Sequence, residues 1–302
     1  MLVTGGVGFI GAAVVRLLHA RGDEVRVIVR PDTPASRIGA LPEGTTIHRG
    51  DLADPSTASK ALEPSRPEVV IHAAASSGHA RTSEQRMAAW RDDVIGTAAL
   101  LEALRPSLPD RFVHVGSSLV YRPSSGPLGE DSALGPETFR GATKLAAATA
   151  VEQWSLETGI PAVVVRPFSV YGPGQHETRV IPVLLGSLAS GSPFAIASAE
   201  ARRDFVHVDD VARCIVLAAS RPGDDVPVLN VGTGVETSIK ELISLAERIT
   251  GRTVVPTKDP YPPPVPNRPH WRADSRLAAA VLGWTANISL EDGLAMLWRA
   301  QS

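Results

Sequence analysis

Met1-Leu-Val-Thr4-Gly5-Gly-Val-Gly8-Phe9-Ile10-Gly11 opens the chain and carries the strongest signal of its architecture. Met1 to Thr4 has the apolar makeup of a short strand, glycines follow at once, and Phe9 to Ala20 carries its apolar residues at helical spacing. A strand that turns through glycines into a helix is the context in which this spacing forms a dinucleotide-binding turn. Gly5 permits the tight turn. Gly8 lets a pyrophosphate approach the backbone and the helix N-terminus at Phe9 and Ile10, and Gly11 lets the helix press on the sheet. The plainer alternative is that the glycines serve a turn and nothing else.

Outward from this turn the same rhythm repeats. Short Val/Ile-rich runs at Glu24 to Val29, Thr46 to His48, Glu68 to His72, Arg111 to Val115 and Pro161 to Val165 read as strands. Between them, Ala88 to Leu104 and Ala142 to Thr158 read as helices. Alternation of this kind predicts an α/β fold with a doubly wound parallel Rossmann sheet, since crossovers between parallel strands are right-handed. After Arg166-Pro167 proline and glycine become denser, and the segment Asp259 to Pro269 is too proline-rich for a helix interior or a central strand. The expectation is a dinucleotide-binding domain over 1–166, with 204–232 returning to it, and a smaller, loop-rich C-terminal substrate lobe made of 167–203 and 233–302. Within that lobe Ser238-Ile-Lys-Glu241 predicts a helix start capped by Thr237 or Ser238.

A chain of 302 residues, 43% hydrophobic and 21% charged, can bury a substantial core. A formal net charge of −2 provides no field to gather nucleic acid or an anionic membrane, and small anionic ligands are the better expectation. The single cysteine, Cys214, lies in an apolar run, which excludes a disulfide framework and reads as a core thiol rather than a reactive one. There is no leader-like start and no long uncharged apolar run, so the expected location is the cytoplasm. His207 and Asp209 read as organisers of a turn and a helix start, with no metal.

The residue after the second strand discriminates between cofactors, because a carboxylate there repels the extra phosphate of NADP. Arg30 stands there instead, with Arg37 further on and Asp32 offset after Pro31. The reading leans to NADP(H) over NAD(H), with Asp32 holding NAD as the alternative. Asp51 is a candidate for the adenine amino group, or else a turn or cap residue.

Taken together, GGVGFIG at 5–11, GDL at 50–52, HAAA at 72–75, GSSLVY at 116–121, TK at 143–144, RPFSVYGPG at 166–174, RDFVHVDDVA at 203–212, NVGTG at 230–234 and LGW at 282–284 resemble the extended short-chain dehydrogenase/reductases. The resemblance is to the NAD-dependent epimerase/dehydratase family acting on nucleotide sugars. It covers nearly the whole chain and is more specific for fold than for reaction. It implies that Leu52, Ala73, Ala74, Lys144 and Pro167 join Gly5, Gly8, Phe9, Ile10, Gly11, Arg30 and Asp51 around the cofactor. It also implies that Ser118, Ser169, Arg203 and Arg272 meet a nucleotide-diphosphate sugar, with Arg203 gripping the diphosphate. The bland reading of Arg203 is an ion pair with Asp204.

In that family a Ser or Thr after the fifth strand and a Tyr-x-x-x-Lys pair move a proton while the nicotinamide moves a hydride. Ser117 and Lys144 fall at two of these places, but Arg140 stands four residues before Lys144. A guanidinium with pKa above about 12 cannot accept the proton, though it can stabilise a developing alkoxide or hold an anion. Proton transfer then needs Lys144, a water, or one of Tyr121, Tyr171 and His176. Ser118-Leu119 stand where dehydratases of the family place an Asp-Glu pair, which disfavours dehydration and leaves 4-epimerisation or keto reduction. The competing readings are a cofactor-binding protein with little turnover, acting as sensor or scaffold, and a reductase of a carbonyl compound without a nucleotide. Helices 88–104 and 142–158 are the pair through which the resemblance implies a homodimer.

Overall fold

A computed structural model describes residues 1–62, 66–76, 80–195, 198–221, 223, 227–257 and 270–301. The expected proline-rich loop from Asp259 to Pro269 lies outside the described residues. The first half runs β1 (Leu2–Thr4), α1 (Phe9–Ala20), β2 (Arg26–Val29), α2 (Ala35–Ile38), β3 (Thr46–Arg49), α3 (Pro55–Leu62), β4 (Val69–His72), α4 (Ser83–Trp90), α5 (Gly96–Leu104), β5 (Arg111–Val115) and α6 (Phe139–Thr158). The second half runs β6 (Ala162–Pro167), β7 (Ser169–Tyr171), α7 (Val180–Ser190), β8 (Arg202–Arg203), β9 (Phe205–His207), α8 (Val208–Ser220), β10 (Val228–Val231), β11 (Thr237–Ser238), α9 (Ile239–Thr250), α10 (Arg276–Leu282) and α11 (Leu290–Arg299).

Seven strands form one sheet in the order β10-β6-β5-β4-β1-β2-β3, and every pairing in it is parallel. The order reverses at β1, with β2 on one side and β4 on the other, which opens a crevice at the carboxyl ends of those strands. Because side chains alternate across a strand, one face buries Val3, Val69, Ile71, Val113 and Val115 beneath α1 and α8. The other face buries Leu2, Val70 and Phe112 beneath α3, α5 and α6. Burial on both faces explains why these strands read as continuous apolar runs. Each fully buried Val, Leu or Phe contributes about 1.5–3 kcal/mol of transfer free energy.

Two expected helices begin elsewhere. The run read as Ala88 to Leu104 starts at Ser83, where Thr82 and Gln85 form a reciprocal capping box, and a π turn at Arg91–Ile95 interrupts it. The run read from Ala142 starts at Phe139, because the Thr138 hydroxyl accepts the Gly141 N–H at 3.0 Å. In the C-terminal region Ser238 forms the capping box with Glu241. A second apolar cluster there joins α7, α9 and α11 through Leu184, Leu185, Leu242 and Leu294.

Two buried aspartates stitch the chain's distant parts. Asp204 accepts from the Thr233, Gly234 and Ala273 N–H groups and from the Thr233 hydroxyl, at 2.6–3.0 Å. Asp210 accepts from the Asn287 and Ile288 N–H groups, while the Trp284 indole donates to its backbone carbonyl at 2.9 Å. Trp284 is fully buried, so the LGW motif anchors the tail onto α8. His207 caps α8, accepting from the Asp209 N–H.

Candidate active site

The glycine turn has the shape a dinucleotide requires. Gly5 sits at φ +68°, and a Cβ there would lie 2.6–2.7 Å from backbone atoms of Ala73 and Ala74. A Cβ on Gly11 would meet the Gly5 carbonyl oxygen at 2.1 Å, so α1 rests directly on the turn. Gly8 caps α1 without a side chain, and the first turn of α1 carries no acidic residue. The N–H groups of Phe9, Ile10 and Gly11 therefore have neither an intrahelical acceptor nor a side-chain cap, which is the donor set a pyrophosphate takes. These residues fit a bound dinucleotide.

The loop after β4 is fixed by a chain of hydrogen bonds with a single sense. Thr97 donates its hydroxyl proton to the Asp93 carbonyl at 2.6 Å, so its oxygen accepts from His72 Nε2 at 2.8 Å. His72 Nδ1 then accepts from the Thr4 hydroxyl at 2.6 Å, and the Thr4 oxygen accepts the Ala74 N–H at 3.3 Å. Burial, with the nearby Lys144 charge, lowers the His72 pKa to about 3, so the imidazole stays neutral and this tautomer persists. Ala73 and Ala74 are thereby held beside Gly5.

Farther out, at the ends of β2 and β3, four charges form a linked chain. Arg30 Nη2 pairs with Asp92 at 2.5 Å, and Arg91 pairs with both Asp92 and Asp51. The other Asp51 oxygen accepts the Ala53 N–H at 2.9 Å, and Leu52 packs on the core beside it. Arg30 thus already has an anionic partner.

The candidate reacting end lies where α6 meets the ends of β4 and β5. Gly141 packs so closely that a Cβ would lie 2.4 Å from the Leu119 carbonyl, which seats the first turn of α6 on the Ser117–Leu119 turn. The early start of α6 places Arg140 and Lys144 one helical turn apart on the same face. Lys144 is 5% exposed and donates from Nζ to the Val115 carbonyl at 3.0 Å. Burial lowers its pKa to about 8, with Asp93 opposing that shift and Arg140 adding to it. Ser117 follows Val115 by two residues, and its hydroxyl accepts the Leu119 N–H. The Ser118 hydroxyl accepts the Trp271 indole N–H at 3.1 Å.

Sequence reasoning missed Asp93 and Ser76. Asp93, in the π turn, is 1% exposed and accepts from the Ser76 N–H at 2.8 Å and the Thr143 hydroxyl at 2.6 Å. Arg140 Nη1 donates to the Ser76 carbonyl at 2.5 Å and to its hydroxyl at 2.8 Å. A signal was present in the sequence: Asp93 falls in the apolar stripe Ala89, Thr97, Leu100, Leu104, where a carboxylate has no place unless it is partnered. π turns of this kind recur at functional sites.

The alternative proton carriers fall elsewhere. Tyr121 is fully buried, donates to Asn230 at 2.7 Å and accepts from Arg166 at 2.9 Å, and burial raises its pKa. Tyr171 is buried against Gly293, donates to the Ser289 carbonyl and is likewise raised by burial. His176 is exposed and bonded to Thr178. Pro167 pairs with Val231 at the end of β6, and the Ser169 N–H donates to the Asp204 carbonyl. Arg203 is half-buried and donates to the Arg202 carbonyl at 2.6 Å. Arg272 is half-buried as well. Cys214 is buried, its pKa pushed up to about 12 by burial, as a core thiol requires. Among the described residues no helix is long and apolar enough to cross a membrane, and no cluster of three or more His, Cys, Asp or Glu could hold a metal.

Comparison with known proteins places this arrangement in context. The family model of the NAD dependent epimerase/dehydratase family matches residues 1–232. A UDP-glucose 4-epimerase of Streptomyces lividans is 31% identical over 271 residues, 84% of this chain and 82% of its own. The crystal structure of UDP-glucose 4-epimerase with UDP-glucose from Thermotoga maritima superposes with a TM-score of 0.91 at 28% identity, covering 99% of this chain and 98% of that one. UDP-glucuronic acid 4-epimerase from Bacillus cereus, in complex with UDP-glucuronic acid and NAD, superposes with a TM-score of 0.89 at 29% identity over 99% and 98% of the two chains.

Proposed function

The chain belongs to the NAD dependent epimerase/dehydratase family, and from that premise we propose that it is an NAD(H)-dependent nucleotide-sugar oxidoreductase acting at C4, as a 4-epimerase or 4-ketoreductase. The observation that carries this reading is the convergence of Ser117, Arg140 and Lys144 at the end of β5, with the glycine cradle at the neighbouring end of β1. The bound nicotinamide would supply the hydride acceptor and donor at C4. Ser117 and the Arg140 guanidinium hold the reacting oxygen, and the fixed positive charge stabilises it as it becomes an oxyanion. Lys144, with its pKa at about 8, exchanges the proton, because Tyr121 and Tyr171 are locked as donors and shifted upward. Arg140 takes the position of the family's tyrosine in this reading. Lys144 thereby combines cofactor positioning with proton transfer.

The sequence expectation of NADP(H) draws on Arg30. Its ion pair with Asp92 neutralises that charge, and the Bacillus cereus neighbour carries NAD, so NAD(H) is the cofactor proposed. Arg203 and Arg272 are assigned to the diphosphate, and Ser118 and Ser169 to the sugar. A homodimer through α4, α5 and α6 is part of the same reading, since Met87, Trp90, Ile95 and Leu156 are exposed there; sedimentation as a monomer at micromolar concentration would remove it.

The test is nicotinamide absorbance on mixing protein with NADH or NADPH and a panel of nucleotide-linked 4-keto sugars. Oxidation by the native protein that disappears in Ser117→Ala supports the proposal. A second reading, a cofactor-binding protein with little turnover, draws on the inability of Arg140 to exchange a proton. Turnover in Arg140→Tyr but none in the native protein would decide for it.

A further inference from the structure

Among the described residues Arg140 is a cation without a counter-ion. Arginine presents five N–H donors, and both donors of Nη1 are spent on the carbonyl and hydroxyl of Ser76. The three remaining donors, on Nε and Nη2, meet no protein acceptor among the described residues, and no carboxylate there lies within ion-pair distance. Those two nitrogens form one edge of the guanidinium, the planar fork that matches both oxygens of a carboxylate.

The neighbouring carboxylate cannot fill that place. Asp93 is already committed to the Ser76 N–H, the Ser76 hydroxyl and the Thr143 hydroxyl. Ser76 is itself buried, so the side of Arg140 that faces it is rigidly held. Lys144, one turn along α6, adds a second positive charge when protonated. The reacting end of the pocket therefore carries an excess of positive charge and an oriented, half-buried fork. A neutral sugar covering this fork would strip water from a guanidinium and return no anion, which is unfavourable.

We propose that the sugar taken by this pocket carries a carboxylate, as in a nucleotide-linked uronic acid, and that Arg140 is the specificity-determining residue that binds it through Nε and Nη2. This rests on the nucleotide-sugar reading of the site and narrows it. Arg140 then serves recognition and charge stabilisation together: the same guanidinium that steadies the reacting oxygen selects the acidic sugar.

Calorimetric titration of the NAD-loaded full chain with UDP, UDP-glucose and UDP-glucuronate tests this with affinity, not activity, as the readout. The expected result is UDP-glucuronate tighter than UDP-glucose by about ten- to a hundredfold, the scale of a charge-assisted bidentate pair. Arg140→Gln should bring the two sugars together while leaving UDP unchanged, and Arg140→Lys, which keeps the charge without the fork, should fall between. Equal affinity of the native protein for both sugars overturns the proposal. So does an Arg140→Gln that weakens UDP as much as UDP-glucuronate, because Arg140 would then read the diphosphate. Failure of UDP itself to bind defeats the nucleotide-sugar reading and this proposal with it, an outcome distinct from UDP binding without preference between the sugars.

Discussion

Arg140 and Ser76, 64 residues apart, are joined by two hydrogen bonds from a single guanidinium nitrogen, and Ser76 in turn donates its N–H to the buried carboxylate of Asp93. Thr143 reaches the same carboxylate from the helix that bears Arg140 and Lys144. The loop after β4, the π turn and the start of α6 are thus tied at one point.

Asp93→Asn should shift the pH dependence of turnover. The carboxylate opposes the lowering of the Lys144 pKa, so its neutralisation lets that pKa fall below about 8. If the neutral amine is the reactive form, the limb rising with pH moves to lower pH. A limb that stays in place in the pH–rate profile would remove Lys144 from proton transfer. Asp93→Ala, which strands the Ser76 N–H and the Thr143 hydroxyl, should cost about 1–3 kcal/mol of stability by denaturant titration.

Tyr121→Phe should retain turnover with an unchanged pH profile, since the phenol is committed to Asn230 and Arg166. The loss of these bonds should cost about 1–3 kcal/mol in stability. Loss of kcat beyond tenfold in a folded variant would return Tyr121 to the list of proton carriers.

Asp204→Ala should be among the most damaging single changes. It removes the acceptor of four donors drawn from Thr233, Gly234 and Ala273. A loss of roughly 3–5 kcal/mol is expected in chemical denaturation. A loss under about 1 kcal/mol would mean that the turn at 232–234 is held by other means.

Acid should weaken the fold through its buried imidazoles. His72 has a folded pKa of about 3 against an ordinary 6.5, and burial holds His114 well below the same value. Between these limits the unfolded chain binds more protons, so stability present above pH 6.5 is lost as the pH falls towards 3, by up to about 1.4 kcal/mol per pH unit for each group. Neither ring nitrogen of His114 finds a partner among the described residues. His114→Leu should therefore flatten the acid loss without lowering stability at pH 7, as urea midpoints across pH would show.

Features set by neighbours along the chain are legible from the residues alone. The glycine turn at Gly5, Gly8 and Gly11, the apolar strands of the doubly wound sheet and the capping box at Ser238 are written in local spacing, because strand and helix periods repeat within a few residues, whereas Ser117 and Lys144 are singled out by the family resemblance. Folding supplied the remaining relationships. It committed Tyr121 to Asn230 and Tyr171 to Ser289, engaged Arg30 with Asp92, and brought Asp93 against Ser76. These outcomes hang on hydrogen bonds between residues 17 to 118 positions apart. A buried carboxylate or guanidinium is settled by the partners that folding brings to it, and no periodicity along the chain encodes which partners those are.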